Sequence, residues 1–152
     1  MSDRAIVAVF PKTNAAYDAA SSIRSLAGQD NRDFKVTAGA MFQKDAKGNV
    51  IPLEERDRPL WGTVAGTVTG GLIGLLGGGP VGAAAGAALG GSAGLAGDAV
   101  VGALDDGFVD QVASELNPGD TAVVVEVKEG STAPVDDIVR RNGGRIYRSE
   151  LH

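Results

Sequence analysis

Residues Thr121 to Val127 read TAVVVEV, and this stretch decides the fold. A strand with one face in water alternates apolar and polar residues, whereas a nearly continuous run of Val belongs in the middle of a sheet. Toward the C-terminus, Thr132 to Asn142 reads as a helix opened by Thr132 and Pro134 and ended by Arg140, Arg141 and Gly143. Arg145 to Leu151 then reads as a last strand. Upstream, Phe108, Val109, Val112, Ala113 and Leu116 form a helical stripe behind the acidic start Asp105 and Asp106, and Pro118 and Gly119 close it.

The amino-terminal flank follows the same pattern. Ala5 to Phe10, AIVAVF, fits a buried strand that Pro11 ends. From Thr13, which has the chemistry of an N-cap, the chain places Ala16, Ala19, Ala20, Ile23 and Leu26 on one helical face, and Gly28 stops it. Phe34 to Phe42 reads as a strand, and Asp45, Ala46, Lys47, Gly48 and Asn49 turn the chain into a shorter strand, Val50 to Leu53. The order predicts an α+β domain close to a ferredoxin-like split βαβ sandwich (βαββ–αβαβ), a sheet with helices on one face.

Composition changes at two seams, one after Glu54, Glu55, Arg56, Asp57 and Arg58 and one at Asp98. Residues 1–58 and 98–152 therefore form one discontinuous α/β domain. Residues 59–97 interrupt it as a different kind of element, without a single charged side chain. Within that element Gly62, Gly66, Gly70, Gly74, Gly78, Gly82, Gly86, Gly90 and Gly94 recur at every fourth position.

Glycine costs a helix about 0.5–1 kcal/mol relative to Ala, so this spacing must recover the loss through packing. Residues four apart share a helix face, and removing every Cβ there lets a second backbone come close. A period of four drifts about 40° per step on a 3.6-residue helix, so two helices hold the register where one cannot. Gly77, Gly78, Gly79 and Pro80 supply the break. The segment is thus read as a glycine-zipper helical hairpin, with helices at roughly Trp61 to Leu76 and Val81 to Gly97. Each helix spans roughly 25 Å, somewhat short of a hydrocarbon core of about 30 Å. Trp61 and the flanking Arg56 and Arg58 are placed where membrane-interface residues belong. Three readings stand: a flexible linker, burial inside a soluble oligomer, and packing in a membrane. The linker fits least, since linkers are rich in Ser and polar residues and need no strict register.

Composition limits the chemistry. The 152 residues hold 23 Gly and no Cys, so a disulfide framework, a thiolate zinc site and a cysteine nucleophile are all closed off. A net charge of −5 without a basic patch argues against a nucleic-acid partner. The start of the chain lacks the basic and apolar regions of a signal peptide and reads as uncleaved and unsecreted. The lone His152 is the last residue, a poor place for a preorganised site. Asp98, Asp105, Asp106 and Asp110 lack EF-hand spacing, and the last three sit where helix N-terminal charge is expected. GGLIGLLGGG has no phosphate-loop Lys and follows no good strand. Tyr17, Tyr147 and Trp61 are not interleaved with basic residues and fit packing or an interface better than base stacking.

The chain resembles the family of bacterial predicted membrane proteins classed as domain of unknown function 1269, on four features. These are the opening AIVAVF, the hairpin GTVAGTVTGGLIGLLGGGPVGAAAGAALGG, the segment ALDDGFVDQVASELNPGDTAVVVEV and the closing NGGRIYRSEL. The resemblance implies a membrane-linked ferredoxin-like protein with no catalytic residues to carry over.

The expected function is therefore non-enzymatic: a membrane-associated protein that homo-oligomerises through the nine glycines. No cofactor, metal or small-molecule substrate is expected. Its partners would be itself and a lipid membrane, at the bacterial inner membrane with the α/β domain cytoplasmic; Lys44, Lys47, Arg56 and Arg58 near the first seam agree with that orientation. The alternative is a soluble cytoplasmic ring, tube or filament with the hairpins buried in its core.

Overall fold

The computed structural model describes residues 2–28, 33–53, 69, 72, 76 and 102–151. The elements follow the expected order: β1 (Ser2–Phe10), α1 (Thr13–Gly28), β2 (Phe34–Lys44), β3 (Val50–Leu53), α2 (Phe108–Glu115), β4 (Thr121–Glu129), α3 (Ala133–Arg141) and β5 (Arg145–Glu150). They form a five-stranded sheet of order β3-β2-β4-β1-β5 in which every neighbouring pair is antiparallel. The valine-rich β4 is the middle strand. It pairs along its length with β1 on one side and β2 on the other, the β2 register shifting at a bulge between Val36 and Ala38.

Every residue from Ala5 to Phe10 is buried, and alternate residues of a strand point to opposite faces. Ala5, Val7 and Val9 join Ala40, Phe42, Ala122 and Val124 on the first face. Ile6, Ala8 and Phe10 join Met41, Val123, Val125 and Val127 on the second. A run apolar at every position has no water-tolerant side, so both faces need cover. The structure thus departs from the expected sheet with helices on one face. Helices α1, through Ala16, Ala19, Ala20 and Ile23, and α3, through Val135, Ile138 and Val139, cover the second face. On the first lie Phe108 and Val112 of α2, with Leu104 and Leu116 beside them.

Local chemistry sets the connections. In the β2–β3 hairpin the Asp45 N–H donates to the Asn49 carbonyl at 2.8 Å, and the Asp45 carboxylate accepts the N–H groups of Lys47 and Asn49 at 2.9 and 2.8 Å. Gly48 completes the turn at φ +87, a left-handed conformation that favours glycine. Helix α3 ends in paired bonds from Gly143 N–H to the Arg140 carbonyl and from Gly144 N–H to the Val139 carbonyl, the Schellman arrangement. Thr13 is the first residue of α1, and its hydroxyl meets that of Thr121 at 2.9 Å, tying the helix to β4.

One end of the second face carries a charged network instead of an apolar one. The Glu129 carboxylate is fully buried and accepts from Arg4 at 3.1 Å and from Arg148 Nε at 2.5 Å. Arg4 also reaches Glu150 at 3.0 Å, and Arg148 reaches Asp136 of α3 at 2.9 Å. The bonds to Glu129 and Glu150 hold the Arg4 pKa above its already high value. A buried carboxylate is tolerated only when paired in this way.

Candidate functional site

The central segment meets the domain at three described residues. Thr69, Leu72 and Leu76 are helical, and all three are buried. Residues three, four and seven apart share one helix face, so these three form one stripe. Leu72 and Leu76 belong to the apolar cluster on the first face of the sheet, with Phe42, Val50, Val124, Leu104, Phe108 and Val112. Helix α2 spans only eight residues, and the central stripe completes the cover.

The polar anchor of this seat is Glu126. In the valine strand β4 it falls on the same face as Ala122 and Val124, at the end of the apolar patch. Its Oε2 accepts the Thr69 N–H at 3.2 Å and the Thr69 hydroxyl at 2.6 Å. A carboxylate that accepts both the N–H and the hydroxyl of one residue ties that residue down with directional bonds that apolar contact does not supply.

The remaining wall of the seat is held by bonds from α2 and its flanks. The Lys44 ammonium donates to the Leu116 carbonyl at 3.2 Å, and the backbones of Lys44 and residues 119–120 exchange two hydrogen bonds. At the other end, the Asp105 N–H donates to the Ser149 hydroxyl at 2.8 Å, while the Asp105 carboxylate accepts the Glu150 N–H at 3.2 Å. The N-cap of α2 is Gly107, with no side-chain cap bond, and the acid in its first turn is Asp110. Asp105, expected as helix N-terminal charge, thus serves β5.

Two other places bring polar or charged groups together at the surface of the core. Tyr147 packs against the first-face cluster, and burial pushes its pKa up; its hydroxyl donates to Glu115 at 3.3 Å, beside the Arg145–Glu115 pair at 3.0 Å. On the second face an open depression of about 590 Å³ is lined by Leu26, Pro134, Asp137, Ile138, Arg140 and Arg141. It offers no nucleophile and no paired acid and base. Among the described residues no three His, Cys, Asp or Glu side chains converge as for a metal, and no helix is long and apolar enough to cross a membrane.

The nine zipper glycines, Gly62 to Gly94, lie outside the described residues, as do Trp61, Arg56, Arg58 and the terminal His152. Residues that sequence patterning did not single out are Thr69 and Glu126, and it gave Leu72 and Leu76 no face. The signals were present: one carboxylate within the valine run Val123–Val127, and two Leu four residues apart. Tyr17 packs against the second-face cluster, in keeping with a packing role.

Neither a curated protein nor a solved structure matches the chain. A family model does, described as "Protein of unknown function (DUF1269)", over residues 63–152. The match takes in the central segment with Thr69, Leu72 and Leu76, then α2, β4 with Glu126, α3 and β5, while the opening AIVAVF lies before it. Covering more than half of the sequence, it shows that this chain belongs to the DUF1269 family.

Proposed function

We propose that this protein is a non-enzymatic self-assembling protein that homo-oligomerises through its central glycine register, with the α/β domain as the carrier of that register. The observation behind this reading is the burial of Leu72 and Leu76 in the core of the sheet. On a 3.6-residue repeat, Gly70 and Gly74 fall roughly 130° and 170° around a helix from the Thr69, Leu72 and Leu76 side. An ideal helix seated by its leucines would thus hold positions 70 and 74 away from the sheet, where a second helix could approach. Close backbone approach offsets the helix-propensity cost of those glycines.

Setting β3 aside as a hairpin extension leaves the order β2-β4-β1-β5, with α1 and α3 on one face. We read this as the ferredoxin-like split βαβ arrangement, interrupted after β3 by the central segment and α2.

A second reading puts the glycine register in lipid, with the domain on the cytoplasmic side of a bacterial membrane. The uncharged run from Pro59 to Gly97 favours it. Against it, leucines that cover the sheet are not available to lipid. Carbonate extraction and sedimentation decide between the two. Protein that carbonate releases but that sediments as a large particle supports the soluble assembly, and extraction only by detergent supports the lipid reading. Gly74→Leu tests the register itself, since a bulky side chain on the contact seam separates the helix backbones. The expected result is loss of assembly with an unchanged circular dichroism spectrum; a Gly74→Leu variant that assembles like the parent overturns the proposal.

A further inference from the structure

We infer that Glu126 is a positioning residue, whose carboxylate fixes the rotation of the central helix on the sheet by holding the N–H and hydroxyl of Thr69. The inference rests in part on the self-assembly reading above, because the rotation it sets decides which side of the helix faces outward.

Apolar packing alone is weakly directional. The seat is built from Ala5, Val7, Ala40, Phe42 and Val124, small or flat surfaces over which a leucine stripe can roll or slide by a turn. Hydrogen bonds are not tolerant of such slippage. The two donors of Thr69 converge on one oxygen, at 3.2 and 2.6 Å. Displacement by one residue would remove both and strand a carboxylate against an apolar patch, where a polar group without partners is costly. A rotation that keeps Thr69 on Glu126 also keeps Leu72 and Leu76 inward, since all three share one stripe. The position of a carboxylate in the valine strand β4 is thereby explained: Val there would add apolar cover and remove the directional bonds that, among the described residues, distinguish one helix setting from the next.

The absence of cysteine supplies the test. A single Leu72→Cys probe reports the setting of the helix through its rate of thiol labelling, in the parent and in Glu126→Leu, Glu126→Gln and Thr69→Val backgrounds. Ile23→Cys, buried on the second face, is the control for general loosening. Labelling at position 72 should accelerate tenfold or more in Glu126→Leu, while position 23 changes little. Glu126→Gln keeps an acceptor oxygen and should stay near the parent, and Thr69→Val, which keeps the N–H alone, should fall between. If positions 23 and 72 accelerate together, or if position 72 stays protected in both Glu126→Leu and Thr69→Val, the positioning role is wrong. Sedimentation of the same variants reads assembly separately. A monomeric parent with the expected labelling pattern overturns self-assembly and leaves the role of Glu126 standing.

Discussion

Truncating Leu72 to Ala removes three carbons from a side chain with no exposed surface. At about 0.8 kcal/mol per buried methylene-sized group, the lost transfer energy is about 2.4 kcal/mol. The space left between the central helix and the sheet adds a cavity term, and buried Leu→Ala changes commonly total about 2–5 kcal/mol. A value near 3 kcal/mol is expected, because the seat is walled by strands that cannot collapse inward. For a domain of this size each kcal/mol shifts Tm by about 2–4 °C, so the melt should fall by about 6–12 °C. Leu76, slightly more exposed at 7%, should give the smaller loss. The assay is urea and thermal unfolding followed by far-ultraviolet circular dichroism. Helix propensity does not confuse the sign, since Ala is at least as good a helix former as Leu. If the segment left the sheet for lipid or solvent, the α/β domain would not register the change. Unfolding of Leu72→Ala within about 0.5 kcal/mol of the parent, the ordinary scatter of surface substitutions, would refute a seated helix.

Three further outcomes follow from the geometry. A Cβ at Gly144 would stand 2.9 Å or less from three ring carbons of the fully buried Phe10, so Gly144→Ala should cost about 1–3 kcal/mol in urea unfolding by overpacking. Gly28→Ala, with nothing within 4 Å of the added carbon, should be neutral or slightly stabilising. The N–H groups of Asn49 and Lys47 hold the Asp45 carboxyl below the usual carboxylate range. Its contribution to the hairpin is full above the ordinary Asp pKa of about 3.9 and is lost as pH falls through the lower folded value. A carboxyl titration by NMR checks this, and a midpoint at or above the ordinary value contradicts it.

Much of the domain is legible in the chain because its strands advertise themselves. TAVVVEV names the middle strand, AIVAVF a buried one, and the Asp45–Asn49 turn its hairpin. What periodicity could not supply is non-local. Strand order depends on contacts such as Arg4 with Glu129, far apart in the sequence, and nothing in either residue's neighbourhood announces the other. The two-sided cover was implicit in the unbroken apolar runs of β1 and β4, but local patterning does not say which helix lies on which face. The central segment was harder still. Its lack of charge marks it as separate material, and that contrast hides its seat on the sheet: Thr69, Leu72 and Leu76 are buried there, although they sit in the sequence among glycines whose spacing suggests a different partner. Glu126 was the clue, since a carboxylate in a valine strand demands a donor that only tertiary structure identifies.

The bond from the Glu150 N–H to the Asp105 carboxylate has a consequence for growth. The Leu151 N–H donates inward to the Asp3 carbonyl, so by alternation the Glu150 N–H points to the open side of β5, where an incoming strand would take hold. Asp105 occupies it. At the opposite margin, alternation from the Asp45–Asn49 bond places Pro52 of β3 outward, and proline has no N–H to offer. Lateral accretion of strands needs free donors at a margin; Asp105 takes one outward donor of β5, and Pro52 supplies none at its place in β3. An incoming strand thus meets one donor fewer at each margin than an open edge would offer, which weakens lateral pairing there.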